Sequence, residues 1–280
     1  MRSQMMQTLK FFPLILLLMV VQLWADNNWQ DFRDNHEKYY IFLEQTDLQN
    51  FSCLFTTDAY LSFINDIADS SYTYPLKLIW TREGKSYYIL QPYPQPTDSK
   101  QRQQIMQKIQ MTKTHFQGFY LDWINFLIAS PFADVPDSAR IKFSGDTVRV
   151  SYSTSDELGT VSVEKIFFSS GKLLRVAVTS PTGKIINFPK YTEVENKWLC
   201  SGWDTQIMKG DSVFSGLATG LEIHKISNYW MPVRADVVVQ TVERPGEKFI
   251  SQIFIKDYVF NIPLQKLPSP NPPENPKPEN

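Results

Sequence analysis

The sequence predicts an α+β fold in which antiparallel sheet dominates and a few helices accompany it. Three observations predict it. From Ala139 to Phe260 apolar and polar residues alternate in short runs separated by turn formers. Two earlier segments, 26–45 and about 98–129, instead place apolar residues three and four apart. The links between the β-like runs are only a few residues long, which suits hairpins and not parallel crossovers.

The chain opens on Arg2 and Lys10 with no acidic residue, then runs apolar from Phe11 to Val21, and passes through Gln22-Leu23-Trp24-Ala25 into Asp26-Asn27-Asn28. A basic start, a short apolar core and a small residue before a polar stretch make a secretory signal peptide, with cleavage expected after Ala25. The mature chain is then periplasmic or secreted. The alternative, an uncleaved anchor, has an apolar run short of the roughly 20 residues that cross a bilayer. Residues 1–25 are thus read as leader, 26–260 as one domain and 261–280 as a tail.

Asp26 to Gln45 reads as a helix on the stripe Trp29, Phe32, His36, Tyr39 and Leu43. His36 on that stripe reads as a packing residue more readily than as a ligand. Phe51 to Thr56 is a short strand, and Thr57-Asp58 caps a short helix through Tyr60, Leu61, Ile64 and Ile67. Leu76–Thr81 and Lys85–Leu90 flank Arg82-Glu83-Gly84 as a hairpin. Pro92, Pro94 and Pro96 break regular structure.

A long helix follows to about Ala129, with Ile105, Ile109, Thr112, Phe116, Phe119, Trp123 and Leu127 in one stripe. Its second half adds Tyr120, Ile124, Phe126 and Ile128 and is apolar nearly all round, so it must be covered on several sides. Hairpins are then expected around Ser144-Gly145-Asp146, Ser169 to Lys172, and Glu243 to Glu247. Gly216-Leu217-Ala218-Thr219-Gly220 reads as a turn between strands. Beyond Asn261, seven prolines with little that is apolar make an extended tail, either unstructured or a motif for a partner.

Without Arg2 and Lys10, 26 basic residues face 29 acidic ones, a net charge of about −3. That balance gives no electrostatic pull towards nucleic acid. Cys53 and Cys200 form an even pair in an exported chain, which favours a disulfide over two separate buried thiols. No metal site is expected from two distant cysteines and three scattered histidines, His36, His115 and His224, and no cofactor motif is present. With no G-x-S-x-G, H-E-x-x-H or Walker sequence either, the chain is read as non-catalytic.

The order of elements resembles that of the LolA-like group, the outer-membrane lipoprotein-sorting proteins and their relatives. Leu48-Gln49-Asn50-Phe51-Ser52-Cys53 after the first helix looks like the entry strand of that group. Tyr229-Trp230-Met231-Pro232-Val233 before a long strand is similar to its aromatic-and-proline segment. The Pro-rich tail and the two cysteines are not general features of the group. The resemblance implies a strongly curved antiparallel sheet, an unclosed β-barrel, with helices covering its open side and an apolar hollow for acyl chains. Its partners would be lipid or lipoprotein acyl chains and a membrane-bound donor or acceptor protein. On that reading Phe116, Phe119, Trp123 and Leu127 form the lid face, and Trp80, Val237, Val239 and Phe254 the sheet side of the apolar cavity. The bland alternative is that the same residues fill an ordinary core, in an exported binding or assembly protein with no small-molecule ligand.

Overall fold

A computed structural model describes residues 29–68, 70–156, 159–244 and 246–263. The expected signal peptide and most of the expected tail lie outside them. The described elements are helix α1 (29–36), β1 (Tyr40–Ile41), β2 (Asn50–Thr57), α2 (Asp58–Asn65), β3 (Leu76–Thr81), β4 (Ser86–Leu90) and α3 (Ser99–Trp123). There follow β5 (Arg140–Ser144), β6 (Thr147–Asp156), β7 (Gly159–Phe168), β8 (Leu173–Ser180), β9 (Gly183–Val194), β10 (Lys197–Lys209), β11 (Ser212–Ile226), β12 (Tyr229–Thr241) and β13 (Phe249–Phe260). The thirteen strands are hydrogen-bonded in the order β4-β3-β2-β13-β12-β11-β10-β9-β8-β7-β6-β5, with β1 parallel to β10. The order does not return on itself, so the sheet is large, antiparallel but for β1, and not closed. The α+β class follows.

Where the sequence reading draws one domain, the contacts group the described residues into two compact units: 29–45, 122–221 and 236–250 in the first, 46–121, 222–235 and 251–263 in the second.

The first unit is built on β5 to β10. The register pairs Tyr152 with Val163, Val150 with Lys165, Val163 with Val178, and Lys165 with Val176. Strand side chains alternate between faces, so these residues share one face with Val148 and Phe167. Covering that face are α1 and the segment after α3. Phe132 stacks on Phe167 at 4.9 Å, and Phe32 meets Phe132, Phe143 and Phe167 edge-on at about 6 Å. The expected helix from Asp26 to Gln45 ends at His36. A tight turn Glu37–Tyr39, the two residues of β1 and a second turn Leu43–Gln45 replace its second half. Tertiary bonding overrides the helical spacing here. Tyr40 Oη donates to Gly171 O at 2.8 Å and accepts from Leu173 N at 2.6 Å, which pins the chain to the turn before β8. Gly171 is required in that turn: its φ is +84°, and a Cβ there would stand 2.2 Å from the Cβ of His36.

A second expectation is also corrected. Gly216 to Gly220 is not a turn but lies inside β11. Gly202 faces Gly220 across the β10–β11 ladder, and a Cβ on Gly202 would meet Thr219 O at 2.2 Å. Gly202 allows the close backbone approach to β11, whereas a Cβ at Gly216 or Gly220 would meet nothing nearer than 4.0 Å; glycine inside a strand reads like a turn signal in sequence.

In the second unit β2 runs between β3 and β13 and is buried on nearly all its length. Thr57 caps α2 by accepting from Tyr60 N, and its hydroxyl also meets that of Thr112 on α3 at 3.2 Å. Phe55 stacks on Phe116 at 3.6 Å, and Tyr120 donates or accepts with Ser86 at 2.6 Å. The helix α3 starts where Asp98 accepts from Lys100 N, as the sequence places it, and gives way to a π-helical turn, Ile124–Ile128.

The expected Cys53–Cys200 bridge is not formed. Both are free, buried thiols. Cys53 is enclosed in the second unit on β2, opposite Leu78, and Cys200 in the first, where its thiol donates to Gly202 O at 3.3 Å. Burial pushes both thiols well above the ordinary range, Cys200 to about 12, so neither presents a thiolate for exchange. A thiol count on protein denatured without reductant is expected to give two per chain; a count of zero contradicts this arrangement.

Candidate functional site

The apolar face of β7 to β9 and the segment 125–134 do not fill the space between them. They enclose a hollow of about 170 Å³ lined by Phe126, Ala129, Val163, Leu173, Val176 and Val178, with Ser130, Asp134, Lys165 and Asn187 among its polar residues. The lining follows from the strand pattern. Val163 and Lys165 alternate along β7, Val176 and Val178 along β8, and all point to the covered side. The ceiling follows from the π-helical turn. The bond from Ala129 N to Ile124 O at 2.9 Å spans five residues, which widens the last turn and turns Phe126 and Ala129 towards the sheet. Such turns recur at functional sites.

One charge sits in this apolar setting. The Lys165 side chain is 7 % exposed, and its ammonium donates to Pro131 O at 2.8 Å and to Asp134 Oδ1. Burial lowers the Lys165 ammonium from its ordinary range, opposed by the charge and hydrogen bond of Asp134. The other oxygen of Asp134 accepts from Tyr152 Oη, and burial with that bond raises the phenol. Asp134 itself is 59 % exposed. A half-exposed carboxylate therefore bridges a buried lysine and a tyrosine that neighbour each other on one sheet face. At the opposite side of the hollow, Asn187 Oδ1 accepts from Thr205 Oγ1 at 2.6 Å.

A larger open trough of about 630 Å³ runs over β5 to β9 and shares Val163 with the hollow. Its lining is mostly hydrophilic: Arg140, Ser151, Ser153, Ser162, Thr179 and Lys184 line it with Glu164, which Arg149 and Arg175 hold, and with Tyr152, Val163 and Ala177. It is open and lined mainly by polar groups, which suits an oily molecule poorly. Volume alone would rank it first; chemistry favours the smaller hollow.

The eight residues expected around an apolar cavity fall in both units. In the second, Trp80 is buried and stacks on Phe51 at 5.4 Å, Phe116 is wholly buried against Phe55, Phe119 is buried 5.8 Å from Phe116, and Phe254 is half-buried on β13. In the first, Trp123 and Leu127 are buried and Val237 and Val239 half-buried on β12. None of the eight lines the hollow or the trough. The signal for the hollow was nonetheless present. In Val161-Ser162-Val163-Glu164-Lys165-Ile166-Phe167 a lysine occupies a position where the alternation calls for an apolar residue.

Among the described residues no group of histidine, cysteine, aspartate and glutamate could hold a metal, and no helix is long and apolar enough to cross a membrane. No protein-family model, no curated protein and no solved structure matches the chain.

Near the same ceiling, Phe126 lies 5.5 Å from Trp203, and Trp203 donates to the half-buried carboxyl of Asp122. Burial raises that carboxyl to about 6, and the Trp203 bond opposes the shift. The folded chain thus keeps the Asp122 proton to higher pH than the unfolded chain does. Its contribution to stability is complete below about pH 4 and is lost as the pH rises through about 6. Urea unfolding at several pH values is expected to show Asp122→Asn gaining on the natural protein between pH 4 and 7. A gap that stays constant with pH contradicts this.

Proposed function

We propose that this chain is an exported, non-catalytic carrier or sensor of an apolar ligand, a lipid or a lipoprotein acyl chain. The ligand is received between the sheet and the segment that covers it. In this reading the sheet is strongly curved, an unclosed barrel with helices over its open side, as the resemblance in layout to the LolA-like group implies. The partners are acyl chains, with a membrane-bound donor or acceptor protein, in the periplasm or outside the cell. The observation that supports it is the hollow walled by Phe126, Val163, Leu173, Val176 and Val178.

Apolar walls on a chain that must travel in water suit cargo whose every buried methylene contributes about 0.8 kcal/mol. The volume of about 170 Å³ corresponds to about five or six waters at about 30 Å³ each. It is smaller than the roughly 300–1,000 Å³ that suits a drug-sized ligand. The hollow therefore takes one end of an acyl chain.

A second reading, an exported binding or assembly protein with a solid core, draws on the second unit, where Phe116 and Phe55 stack without a gap. The two readings separate by experiment. Native mass spectrometry of protein purified from a bacterial periplasm is expected to show bound lipid, and titration with 1-octanol to show saturable binding. Val178→Phe places a ring in the hollow and is expected to abolish octanol binding while costing no more than about 1–3 kcal/mol of stability. Protein that is lipid-free and does not bind octanol contradicts the carrier reading and favours the solid core.

A further inference from the structure

Within the hollow, the position of Asp134 is informative. Lys165 comes from the centre of β7 and Tyr152 from β6. Both are fixed by the ladder, where Val150 faces Lys165 and Tyr152 faces Val163. Asp134 comes from the connection between α3 and β5, and more than half of its side chain is exposed to water. The cationic side of the pair is thus built into the sheet, and the anionic side is supplied by a surface carboxylate reaching inward. One of its oxygens takes the Lys165 ammonium and the other the Tyr152 phenol. A carboxylate from elsewhere, with the same two oxygens, satisfies the same two donors.

We propose that the hollow selects an apolar molecule bearing one carboxylate, a fatty-acid-like amphiphile, whose head displaces Asp134 from Lys165 and Tyr152 while its chain lies against Val163, Val176 and Val178. This rests on the apolar-ligand reading above and specifies the class of ligand. A buried ammonium needs a counter-charge. An exchange of one carboxylate for another keeps Lys165 paired throughout and returns Asp134 to water, where an ionised carboxylate is well solvated. An uncharged chain gains only the apolar contact and leaves Asp134 in place. The geometry therefore separates a fatty acid from the matching alcohol.

The test compares octanoate with 1-octanol on the full chain by ligand-observed NMR titration, with thermal unfolding in parallel. Asp134→Asn removes the competing carboxylate. It is expected to bind octanoate about tenfold more tightly than the natural protein, the scale of a charge-assisted hydrogen bond regained. Octanoate is also expected to raise the unfolding temperature of Asp134→Asn more than that of the natural protein. Adding Lys165→Met to that variant is expected to abolish the preference for octanoate over octanol. An Asp134→Asn protein that binds octanoate no better than the natural chain, or that octanoate does not restabilise, overturns the proposal: Asp134 would then serve only to fasten its turn. If octanol binds and octanoate gains nothing, the carboxylate proposal falls and the carrier reading stands. If neither binds, both fall.

Discussion

A lysine ammonium taken out of water is among the most costly groups a fold can bury, at several kcal/mol after relaxation. In this protein that cost falls on Lys165, in the middle of β7, and much of the first unit follows from how it is met. Pro131 O and Asp134 come to the ammonium from the segment after α3. That segment must therefore cross the sheet face at a fixed height. Phe132, between them in sequence, is carried down onto Phe167. The π-helical turn before it is held far enough from Val176 and Val178 to leave space. A leucine in place of Lys165 would let the segment settle onto the valines; the charge holds it at a polar contact distance instead.

The same sheet faces two ways, and its chemistry divides accordingly. On the covered side valines, Phe167 and Lys165 meet aromatics from α1 and Phe132. On the other, Glu164 is bracketed by Arg149 and Arg175 among serine and threonine hydroxyls. These charges, half-buried at Glu164 and Arg175 and exposed at Arg149, keep one face polar and so help to fix which face turns inward. A one-residue slip in β7 would exchange Lys165 for Glu164 on the covered side.

Much of the architecture was legible in the sequence. The caps at Thr57 and Asp98, the hairpin around Gly84 and the alternation of β5 to β9 act through local chemistry. What was not legible depended on distant partners. Tyr40 belongs to a helical stripe in sequence, and only its bonds to Gly171 and Leu173 show why the helix stops short. Gly216 and Gly220 carry the composition of a turn, yet both pair with β10 inside a long strand, Gly220 opposite Gly202. Trp80, Phe116 and Trp123, expected as cavity walls, are buried and are not among the residues that line the hollow. The residues around the hollow mix small apolar side chains, such as Ala129, Val163, Val176 and Val178, with short polar ones, and are too ordinary to stand out. Lys165, out of step with its neighbours, was the one local sign.

The central claim is that the space beneath the π-helical turn is walled on one side by Phe126, Val163, Val176 and Val178, held open by its frame and not filled by side chains. A crystal structure under xenon pressure tests it directly, since unfilled apolar space takes up xenon. The account predicts a xenon atom in contact with Phe126, Val163, Val176 and Val178. No xenon there, with the segment 125–134 collapsed onto the valines or ordered water filling the space, would contradict it.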